Sequence, residues 1–486
     1  MKETFKNRIF GITVTGISFL ASAVFVFLIA KTGFLTWQLL LLCGVLLLGL
    51  AGLVYVLSRD TKRKVCCVIS VLLALAILAV QILGSYYVLV AQSALKKITN
   101  TQKEFSEIGI YVRNDDPAEK LNDVKRYIFG ILEIQDRAAT DDVIKEISEK
   151  MKVTIETKCY SGIEELMDGL LVSKEIDVII VNKSFLELLE TIEGHNESFD
   201  KIREIYVVKN DTEIVIEAEP ENQGAIDNPY VTSVYISGID CYGSLARKSR
   251  SDVNILAVFN TKTGQILLLS TPRDYYVPLS ISNGIPDKLT HAGIYGIEVS
   301  KNTLGMLYGI NVDYYFRVNF DGFKGIIDSL GGVNVYSEYD FSAATYKYVK
   351  GENFLNGDQA LAFVRSRYAF ASGDRQRGKN QMAVIKAVIN KVVSPAILVN
   401  YKTTLDSLAG AFETSVPYSQ ITKLIQNQLN EGTQWNIVTY SVDGKGATLK
   451  PYSLSSRAYV MIPDQTTVDH AKKLIAQVNN NEILTQ

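Results

Sequence analysis

The stretch VNILAVFNTKTGQILLLST, residues 253–271, decides the class of fold. It contains two runs rich in β-branched, aliphatic and aromatic residues, VNILAVF (253–259) and QILLLST (265–271), which are typical of strands. The polar segment NTKTG between them is turn-like, so the two runs predict a β-hairpin. The segments on either side indicate what kind of sheet this hairpin joins.

Strand and helix patterns alternate around the hairpin. They are a strand-like VTSVYIS (231–237), a helical segment near 290–308, a strand-like VDYYFRV (312–318) and a helix near 320–330. After Asp374, apolar residues recur at helical spacing: Met382, Ile385, Ile389 and Val392. Strands alternating with amphipathic helices predict an α/β domain, a sheet flanked by helices, over residues 230–395. We expect residues 396–486 to continue this domain with helix, strand and a C-terminal helix.

A smaller α/β pattern occupies residues 105–220. Its strand-like runs are IGIYV (108–112), VTIET (153–157), DVIIVN (177–182) and IREIYVVKN (202–210). The helical segments between them are DDVIKEISEKM (141–151) and GIEELMDGLL (162–171). This alternation predicts a small accessory α/β domain. The turn-rich segment 219–230, EPENQGAIDNPY, predicts a linker to the larger domain.

Three long apolar runs, roughly 9–30, 33–57 and 65–90, lie at the N-terminus. At about 1.5 Å per residue, a run of about 20 residues is long enough to cross a hydrocarbon core of about 30 Å. The sequence therefore predicts a three-span membrane anchor over residues 1–90. Residues 91–104, AQSALKKITNTQKE, predict a polar stalk.

Basic residues beside the spans indicate their orientation. Those before the first span and between the second and third are Lys2, Lys6, Arg8, Arg59, Lys62, Arg63 and Lys64. The loop between the first and second spans carries only Lys31. By the positive-inside rule, the N-terminus is predicted to be cytoplasmic and the residues after about 90 extracellular. The prediction is a multi-pass protein of the cell membrane.

The charge of the body excludes one class of partner. Of the 50 Lys and Arg residues and the 52 Asp and Glu residues, eight and two respectively fall within residues 1–90, so the remainder has a net charge of −8. A nucleic-acid binder requires a basic footprint. We therefore expect no nucleic-acid partner.

One segment of this acidic body, RSRYAFASGDRQRGKNQ (365–381), is strongly basic. Its arginines are Arg365, Arg367, Arg375 and Arg377. Because the guanidinium group suits bidentate contacts with phosphate, the segment predicts a site for a phosphorylated ligand. The alternatives are a solvated basic loop and an internal salt-bridge network.

The spacing within this segment predicts convergence. In an extended strand, Arg365 and Arg367 share one face. If Asp374 caps a helix, then Asp374, Arg377 and Gln381 fall at i, i+3 and i+7 on one stripe. The free N–H groups at the start of that helix would attract an anion. We expect these groups to meet around one phosphorylated ligand.

Strand ends supply a second candidate cluster. Asp240 ends one strand, Asp252 begins the next, and Arg273 follows the third. Sites in open α/β sheets gather at strand ends, and two carboxylates with phosphate oxygens suit the hard cation Mg²⁺. We predict Asp252 and Asp240 as Mg²⁺ ligands. For Asp240, a turn-forming role without a ligand is the alternative.

Five motifs, taken in order, resemble the LytR-CpsA-Psr family in its capsule-associated, CpsA-like branch. They are GIDCYG (238–243) with SRSDVNILAVFN (249–260), LLLSTPRD (267–274), LGGVNV (330–335), LNGDQALAFVRSRYAF (355–370) and GDRQRGKNQ (373–381). The three spans and the small intervening domain also fit that branch. The resemblance implies a Gram-positive enzyme that moves a polymer from a polyprenyl-diphosphate carrier onto cell-wall peptidoglycan, with Mg²⁺.

The resemblance also implies roles for individual residues. Asp252 is similar to the family's magnesium-linked carboxylate, with Asp240 nearby. The residues similar to the family's diphosphate grip and its completing pattern are Arg273, Arg365, Arg367, Arg377, Asp374 and Gln381. Arg375 is an additional arginine beside that pattern. The family's core encloses the prenyl tail, for which the sequence identifies no pocket residues.

The predicted reaction is transfer of a capsular or related glycan phosphate to a peptidoglycan hydroxyl, with release of polyprenyl phosphate. Positioned cations and Mg²⁺ would neutralise the diphosphate where its bond breaks. The predicted partners of the protein are the lipid-linked glycan, peptidoglycan and the membrane. Whether it also binds capsule-assembly proteins is left open.

The sequence leaves the general base and two alternative functions open. Asp374 is a candidate base, although its arginine neighbours would weaken it in that role. One alternative function is a polyprenyl-diphosphate phosphohydrolase with water as the acceptor. The other is a non-catalytic regulator of capsule assembly that binds polyprenyl phosphates.

Overall fold

A computed structural model of the chain describes residues 2–59, 64–99, 103–192, 194–213, 228–239, 243–370, 373–394 and 410–485. These residues divide into two compact units. The first unit holds the described residues of 2–99 together with 416–434. The second holds those of 103–394, 410–415 and 435–485.

The helices and strands have the following bounds. The helices are α1 Lys2–Thr32, α2 Trp37–Ser58, α3 Lys64–Ile98, α4 Arg137–Met151, α5 Ile163–Leu171, α6 Lys183–Leu186, α7 Ala292–Tyr295, α8 Ile297–Tyr308, α9 Phe320–Ser329, α10 Gly357–Arg365, α11 Asp374–Val392, α12 Tyr418–Glu431 and α13 Gln465–Asn479. The strands are β1 Lys103–Arg113, β2 Ile128–Leu132, β3 Glu156–Tyr160, β4 Val178–Asn182, β5 Ile202–Glu213, β6 Val231–Ile239, β7 Ser251–Asn260, β8 Gln265–Thr271, β9 Tyr276–Pro278, β10 Pro286–Lys288, β11 Tyr314–Val318, β12 Val333–Ser337, β13 Phe341–Ala343, β14 Tyr346–Tyr348, β15 Gly351–Leu355, β16 Phe412–Thr414, β17 Asn436–Ser441, β18 Gly444–Leu449 and β19 Ala458–Pro463.

The first unit is built on the helices α1, α2 and α3. The stretches long and apolar enough to cross a membrane are Ile9–Thr32, Trp37–Ser58 and Lys64–Ser93, with mean hydropathies of 2.3, 2.7 and 2.9. They confirm the three apolar N-terminal helices predicted from the sequence. The turn between α1 and α2 contains Gly33 at a φ of +70°, a conformation that glycine adopts without steric cost. The helix α12 belongs to this unit as well.

A five-stranded sheet forms the N-terminal part of the second unit. Its strand order is β3-β2-β4-β1-β5, with β2 parallel to β3 and β4, and β1 antiparallel to β4 and β5. The helix α4 packs on one face through Val143, Ile147 and Met151. The helix α5 packs in the other core through Leu166 and Leu170. This sheet is the small α/β arrangement predicted from the sequence.

The third strand of this sheet lies later than predicted. The sequence predicted a strand over 153–157, whereas β3 begins at Glu156. Lys152 ends α4 in the left-handed conformation, with a φ of +58°. The residues that follow therefore turn back towards the sheet before the strand starts, and the buried side chain of Ile155 joins the core there.

A six-stranded sheet forms the larger part of the second unit. Its strand order is β16-β11-β6-β7-β8-β17. The predicted hairpin is confirmed as β7 and β8, which pair antiparallel with Asn260 opposite Gln265. The strands β16 and β17 close the two edges of the sheet, antiparallel to β11 and parallel to β8.

Helices cover both faces of this sheet. On one face Met382, Ile385 and Ile389 of α11 pack with Ile255 and Leu268 of the hairpin. On the other face α8 and α13 pack against alternate residues of the same strands, among them Leu256, Val258, Leu267 and Leu269. The period-two alternation of β7 and β8 thus supplies two cores, and the layers confirm the predicted sheet flanked by helices.

A buried carboxylate joins the five-stranded sheet region to the C-terminal part of the unit. Glu164 in the first turn of α5 accepts hydrogen bonds from the backbone N–H groups of Ser455 and Ser456, at 3.3 and 3.0 Å. The hydroxyls of the same two serines donate to it at 2.8 and 2.7 Å. Burial raises the pKa of Glu164, but the hydrogen bonds from Ser456 and Ser455 outweigh burial and lower it below its ordinary value.

We expect Glu164→Gln to lower the free energy of unfolding by about 2 kcal/mol near neutral pH, because hydrogen bonds to a charged acceptor are lost. A lowered pKa stabilises the fold above the unfolded value, about 4.3, and this contribution is lost as the pH falls through the native pKa. The difference between wild type and variant should therefore shrink below about pH 4. Urea unfolding of the full chain, followed by circular dichroism near neutral pH and below about pH 4, measures the difference in the free energy of unfolding.

The neighbouring residue supplies the control. Glu165 lies on the same turn and bonds the hydroxyl of Ser161 at 2.7 Å in an exposed setting. Glu165→Gln should change the stability by less than about 0.5 kcal/mol. A difference for Glu164→Gln that stays constant with pH would contradict the proposed charge dependence.

Candidate active site

Asp252 and Arg273 meet at one end of the β7–β8 hairpin. The register pairs Asn254 with Thr271, so the start of β7 and the end of β8 lie at the same edge of the sheet. Arg273 Nη1 donates to Asp252 Oδ2 at 2.8 Å, and the hydroxyl of Thr290 donates to Asp252 Oδ1 at 2.9 Å. The structure therefore brings these two predicted site residues into direct contact.

Asp252 is held in its ionised form. Burial alone raises the pKa of this carboxyl, but the positive charges of Arg273 and Arg250 and the hydrogen bond from Thr290 lower it below its ordinary value. The charge of Arg377 acts in the same direction. An ionised carboxylate inside a group of guanidiniums can bind a hard cation or position the arginines for an anion.

The start of α11 lies beside this pair. A Cβ on Gly378 would sit 2.8 Å from the hydroxyl of Ser270 near the end of β8, so glycine allows the helix to approach the strand closely. One residue earlier, Arg377 forms an ion pair with Asp374. Burial lowers the pKa of the Arg377 guanidinium, Asp374 opposes this, and the like charges of Arg273 and Arg367 lower it further.

Asp374 begins α11 but does not cap it. The N-cap residue is Gly373, and Asp374 is the first helical residue, paired through its side chain with Arg377. The prediction that Asp374 caps the helix was wrong. Asp374 and Arg377 nevertheless lie on one stripe, because the segment is helical. Gln381 lies on the same stripe, partly buried. The described residues do not extend to Asp240, so the second predicted carboxylate lies outside them.

The sequence predicted that Arg365 and Arg367 share one face of a strand. The structure differs, because Arg365 lies in a helix. The capping box of Asn356 and Gln359 starts α10, which remains helical through Arg365. The guanidinium carbon of Arg365 lies 4.3 Å from the ring centre of Phe320. Arg367 follows the helix and stacks on Tyr368, 4.5 Å from its ring centre. The helix turns the two side chains to different neighbours, and their roles stay predictions.

Arg367 is close enough for its charge to act on Arg377, whereas Arg375 is bound elsewhere. Arg367 donates to the hydroxyl of Tyr368, and this hydrogen bond together with the charge of Arg367 lowers the pKa of Tyr368, as do Arg273 and Arg377. Arg375 pairs with Asp443 at 2.6 Å and donates to the carbonyl of Gly444 at 3.4 Å. Arg375 is therefore bound by the residue before β18 and by the first residue of that strand.

The cluster combines predicted residues with two that were not predicted. The predicted members are Asp252, Arg273, Arg367, Asp374 and Arg377. Arg250 and Thr290 also act on Asp252. Arg250 lies only two positions before Asp252, so the sequence could have indicated it as a member of the site. Thr290 comes from a distant segment, and no local signal indicates it. The four guanidiniums of Arg250, Arg273, Arg367 and Arg377 thus lie beside carboxylates that orient them, and guanidiniums placed in this way can bind an anion.

The predicted Mg²⁺ has one candidate ligand among the described residues. In that part of the chain no group of three or more His, Cys, Asp or Glu residues could hold a metal ion. Mg²⁺ commonly binds through one or two carboxylates together with substrate phosphates. Asp252 fits this mode, because it is ionised and each of its oxygens accepts one hydrogen bond while retaining a second lone pair.

The five-stranded sheet region holds the loop that leads to Asp252, residues 243–250. The backbone of Phe105 in β1 accepts from the N–H of Lys248 at 3.0 Å and donates to the carbonyl of Ala246 at 2.9 Å. The hydroxyl of Ser184 in α6 donates to the carbonyl of Lys248 at 2.7 Å. Ion pairs join Arg247 to Glu187 and Arg250 to Glu190. The small α/β region thus positions the loop that carries Arg250.

We expect Ser184→Ala to speed amide exchange in residues 243–250 about fivefold, because one buried hydrogen bond contributes about 1 kcal/mol to local stability. Hydrogen–deuterium exchange of the full chain measures the change. Ser173, whose hydroxyl bonds only carbonyls of the preceding helix at 3.4 and 3.5 Å, supplies the matched control. Equal exchange in the Ser184→Ala and Ser173→Ala variants would show that Ser184 does not hold the loop.

Comparisons with known proteins agree with the predicted relationship. A sequence model of the LytR_cpsA_psr family matches residues 199–476, more than half of the chain. A similar relative is the polyisoprenyl-teichoic acid–peptidoglycan teichoic acid transferase TagU of Bacillus cereus, 33% identical over 199 residues, which are 41% of this chain and 64% of that protein. TagU of Oceanobacillus iheyensis is 31% identical over 245 residues, 48% of this chain and 74% of that protein. Both names agree with the predicted glycan-phosphate transferase.

A solved structure completes the comparison. TagV of B. subtilis is 27% identical, with a TM-score of 0.43, and the match covers 52% of this chain and 98% of that one. Because this TM-score is low, the family relationship is decided by the match of the family's sequence model to residues 199–476. The matched residues include the whole six-stranded sheet and the cluster around Asp252, Arg273 and Arg377. The chain belongs to the LytR-CpsA-Psr family.

Proposed function

We propose that this chain transfers a glycan phosphate from a polyprenyl-diphosphate carrier to a hydroxyl of peptidoglycan. The contact of Arg273 with Asp252, beside the Asp374–Arg377 pair, carries the proposal, because it concentrates guanidiniums at the end of a sheet. The names of the relatives specify teichoic acid as their glycan. For this chain a capsular or related polymer is proposed, on the resemblance of its motifs to the capsule-associated branch.

The reaction is an exchange at phosphorus. The acceptor hydroxyl forms a bond to the phosphorus that carries the glycan, and the phosphoanhydride bond to the second phosphorus breaks. Polyprenyl phosphate leaves, and the hydroxyl proton passes to a base or to water. Because negative charge builds up on the leaving phosphate, cations placed beforehand stabilise the transition state more than the ground state.

The residues of the cluster divide this work. Arg273 and Arg377 are fixed by the carboxylates Asp252 and Asp374, so their guanidiniums are oriented before the donor arrives. Arg367, whose charge acts on Arg377, can add a further contact. The first N–H groups of α11 favour an anion at the same place. Since Asp374 is paired with Arg377, it suits the orientation of that arginine better than acceptance of a proton.

Asp252 would hold Mg²⁺, and Asp240 is the second ligand proposed. The ion would supply positive charge on the phosphate oxygens and so assist departure of polyprenyl phosphate. The hydrogen bond from Thr290 would keep the Asp252 carboxylate oriented for this contact. The observation in favour is that Asp252 contacts Arg273 and Thr290, and that the charges of Arg273 and Arg250 lower the pKa of its carboxyl.

We also propose that the second unit lies on the outer side of the membrane. The basic residues at the start of α1, before the apolar stretch that begins at Ile9, and those between the apolar stretches of α2 and α3 place these segments in the cytoplasm by the positive-inside rule. Three spans then bring the chain after α3 to the opposite side, where peptidoglycan is assembled. This arrangement keeps the site near a substrate whose prenyl chain stays in the bilayer.

A reconstituted assay tests the proposal. The full chain in lipid nanodiscs is incubated with a polyprenyl-diphosphate-linked glycan and Mg²⁺, with and without peptidoglycan fragments. We expect a glycan–peptidoglycan product and polyprenyl phosphate only when the acceptor is present. Phosphate release without the acceptor would instead favour a phosphohydrolase, and binding without turnover would favour a regulator.

A further inference from the structure

The helix α12 is bonded to the turn that joins the first two spans. The hydroxyl of Tyr418 donates to the carbonyl of Thr32 at 2.6 Å, and the amide of Gln426 donates to the carbonyl of Gly33 at 2.6 Å. These carbonyls belong to the end of α1, where no further turn of helix can satisfy them. The helix α12 therefore supplies the hydrogen bonds that the end of the span requires.

Two further contacts extend this docking along the helix. The hydroxyl of Thr36, the residue before α2, donates to Oδ1 of Asn430 at 3.2 Å. The rings of Phe34 and Tyr418 lie 6.3 Å apart, within the range of aromatic contacts. Both ends of α12 thus contact the α1–α2 turn, and helix and spans belong to one compact unit.

These contacts fix the level of α12 relative to the bilayer. The first span ends at Thr32 and the second begins at Trp37. Polar backbone atoms and aromatic rings at such positions lie where the hydrocarbon gives way to headgroups. A helix bonded to Thr32 and Gly33 therefore lies at the surface of the membrane.

A second face of α12 is apolar and partly exposed. Its apolar residues recur at helical spacing: Ile421, Leu424, Ile425 and Leu429. The side chains of Leu424 and Leu429 are 37% and 56% exposed, although the rest of the helix bears only Lys423 and Glu431 as charges. Trp37, at the same level, is 69% exposed. Such a surface is suited to bind a membrane by burying apolar side chains in lipid, and not by attraction of charges to headgroups.

We propose that α12 is an interfacial helix, with one face fixed to the α1–α2 turn and the adjoining apolar face inserted at the boundary of headgroups and acyl chains. Its occupant is the lipid bilayer that the spans cross. The chain enters α12 from β16 through residues 415–417 and returns to β17 through residues 432–435. The proposal concerns membrane contact alone and does not depend on the transfer reaction.

Site-directed spin labelling tests the lipid contact. The full chain, with its five cysteines replaced by serine or alanine, is reconstituted in nanodiscs and labelled at Leu424→Cys or at Asn427→Cys. Asn427 lies on the side of α12 away from both contacts and is exposed. We expect the label at 424 to collide with oxygen in preference to a water-soluble nickel chelate, and the label at 427 to show the reverse. Preference for the chelate at both positions would overturn the proposal.

Cross-linking tests the docking on the same cysteine-free background. Thr36→Cys and Asn430→Cys place two thiols where the wild-type side chains are 3.2 Å apart. We expect oxidation to join them within one chain in nanodiscs, and the pair Thr36→Cys with Asn427→Cys to remain reduced. Failure of the first pair while both single variants remain folded, judged by circular dichroism, would show that α12 does not rest on the turn.

Discussion

Replacement of Arg377 with alanine should lower the rate of glycan transfer by two to three orders of magnitude, the loss of about 3–4 kcal/mol expected for one preplaced donor to a developing charge. Arg377 is largely buried, fixed by Asp374, and within the electrostatic influence of Arg273 and Asp252. The initial rate of polyprenyl phosphate release with peptidoglycan present measures the effect. Because the guanidinium contacts phosphate most strongly in the transition state, we expect kcat to fall more than KM rises.

Arg375 provides the matched control two residues earlier on α11. It is the same residue type, but it pairs with Asp443 and is about half exposed. We expect Arg375→Ala to lower the rate by less than about tenfold, since a surface ion pair contributes at most about 1 kcal/mol. Equal losses in the two variants would mean that general positive charge, and not the placed guanidinium of Arg377, assists the reaction.

Local patterns in the sequence predicted the sheet and the spans. The hairpin of β7 and β8 has its two apolar runs and its turn within residues 253–271, so nothing distant is needed to recognise it. The spans are recognisable for the same reason, because their hydropathy is a property of each segment. The extended strand expected through Arg365 was wrong, because α10 continues to that residue and no residue between 358 and 365 is of a type that stops a helix.

Contacts between distant segments could not be predicted. Arg317 lies in the strand-like run 312–318, where an arginine is expected to face water. It is instead fully buried, and it pairs with Glu104 and Glu413, which are 213 and 96 residues away. Burial raises the pKa of Glu413, and Arg317 opposes this. No spacing rule connects residues so far apart, because only the fold brings them together.

In the candidate site, too, local patterns were predictable and contacts between distant segments were not. The segment 365–381 indicated the arginines and the helix that carries them, because these signals are local. That Arg377 lies within the electrostatic influence of Arg273 depends on the close approach of Gly378 to Ser270, a packing contact between elements. Thr290 reaches Asp252 from 38 residues away. Residue types thus indicated which side chains are suited to phosphate, and tertiary packing determined which of them lie together.

Replacement of Asp252 with asparagine is expected to abolish the Mg²⁺ dependence of diphosphate binding and to lower turnover about a thousandfold, which is the order of loss for a removed electrostatic contact in an enclosed site. Asparagine keeps an oxygen for the Thr290 hydroxyl but removes the charge that balances Arg273 and Arg250. Calorimetric titration of the full chain with inorganic pyrophosphate, in EDTA and in Mg²⁺, separates the two effects.

In EDTA the Asp252→Asn variant should bind pyrophosphate at least as tightly as the wild type, because the arginines lose a competing anion. In Mg²⁺ only the wild type should gain affinity, because only an ionised carboxylate at this position holds the cation beside the phosphates. Asp274→Asn is the matched control: this carboxylate lies 3.5 Å from Lys288 and 3.7 Å from Arg273, so its loss changes the local charge equally while leaving the Asp252 contact. If Asp252→Asn retains the gain in Mg²⁺, the ion is bound elsewhere, and if both variants lose it, net charge alone accounts for the effect.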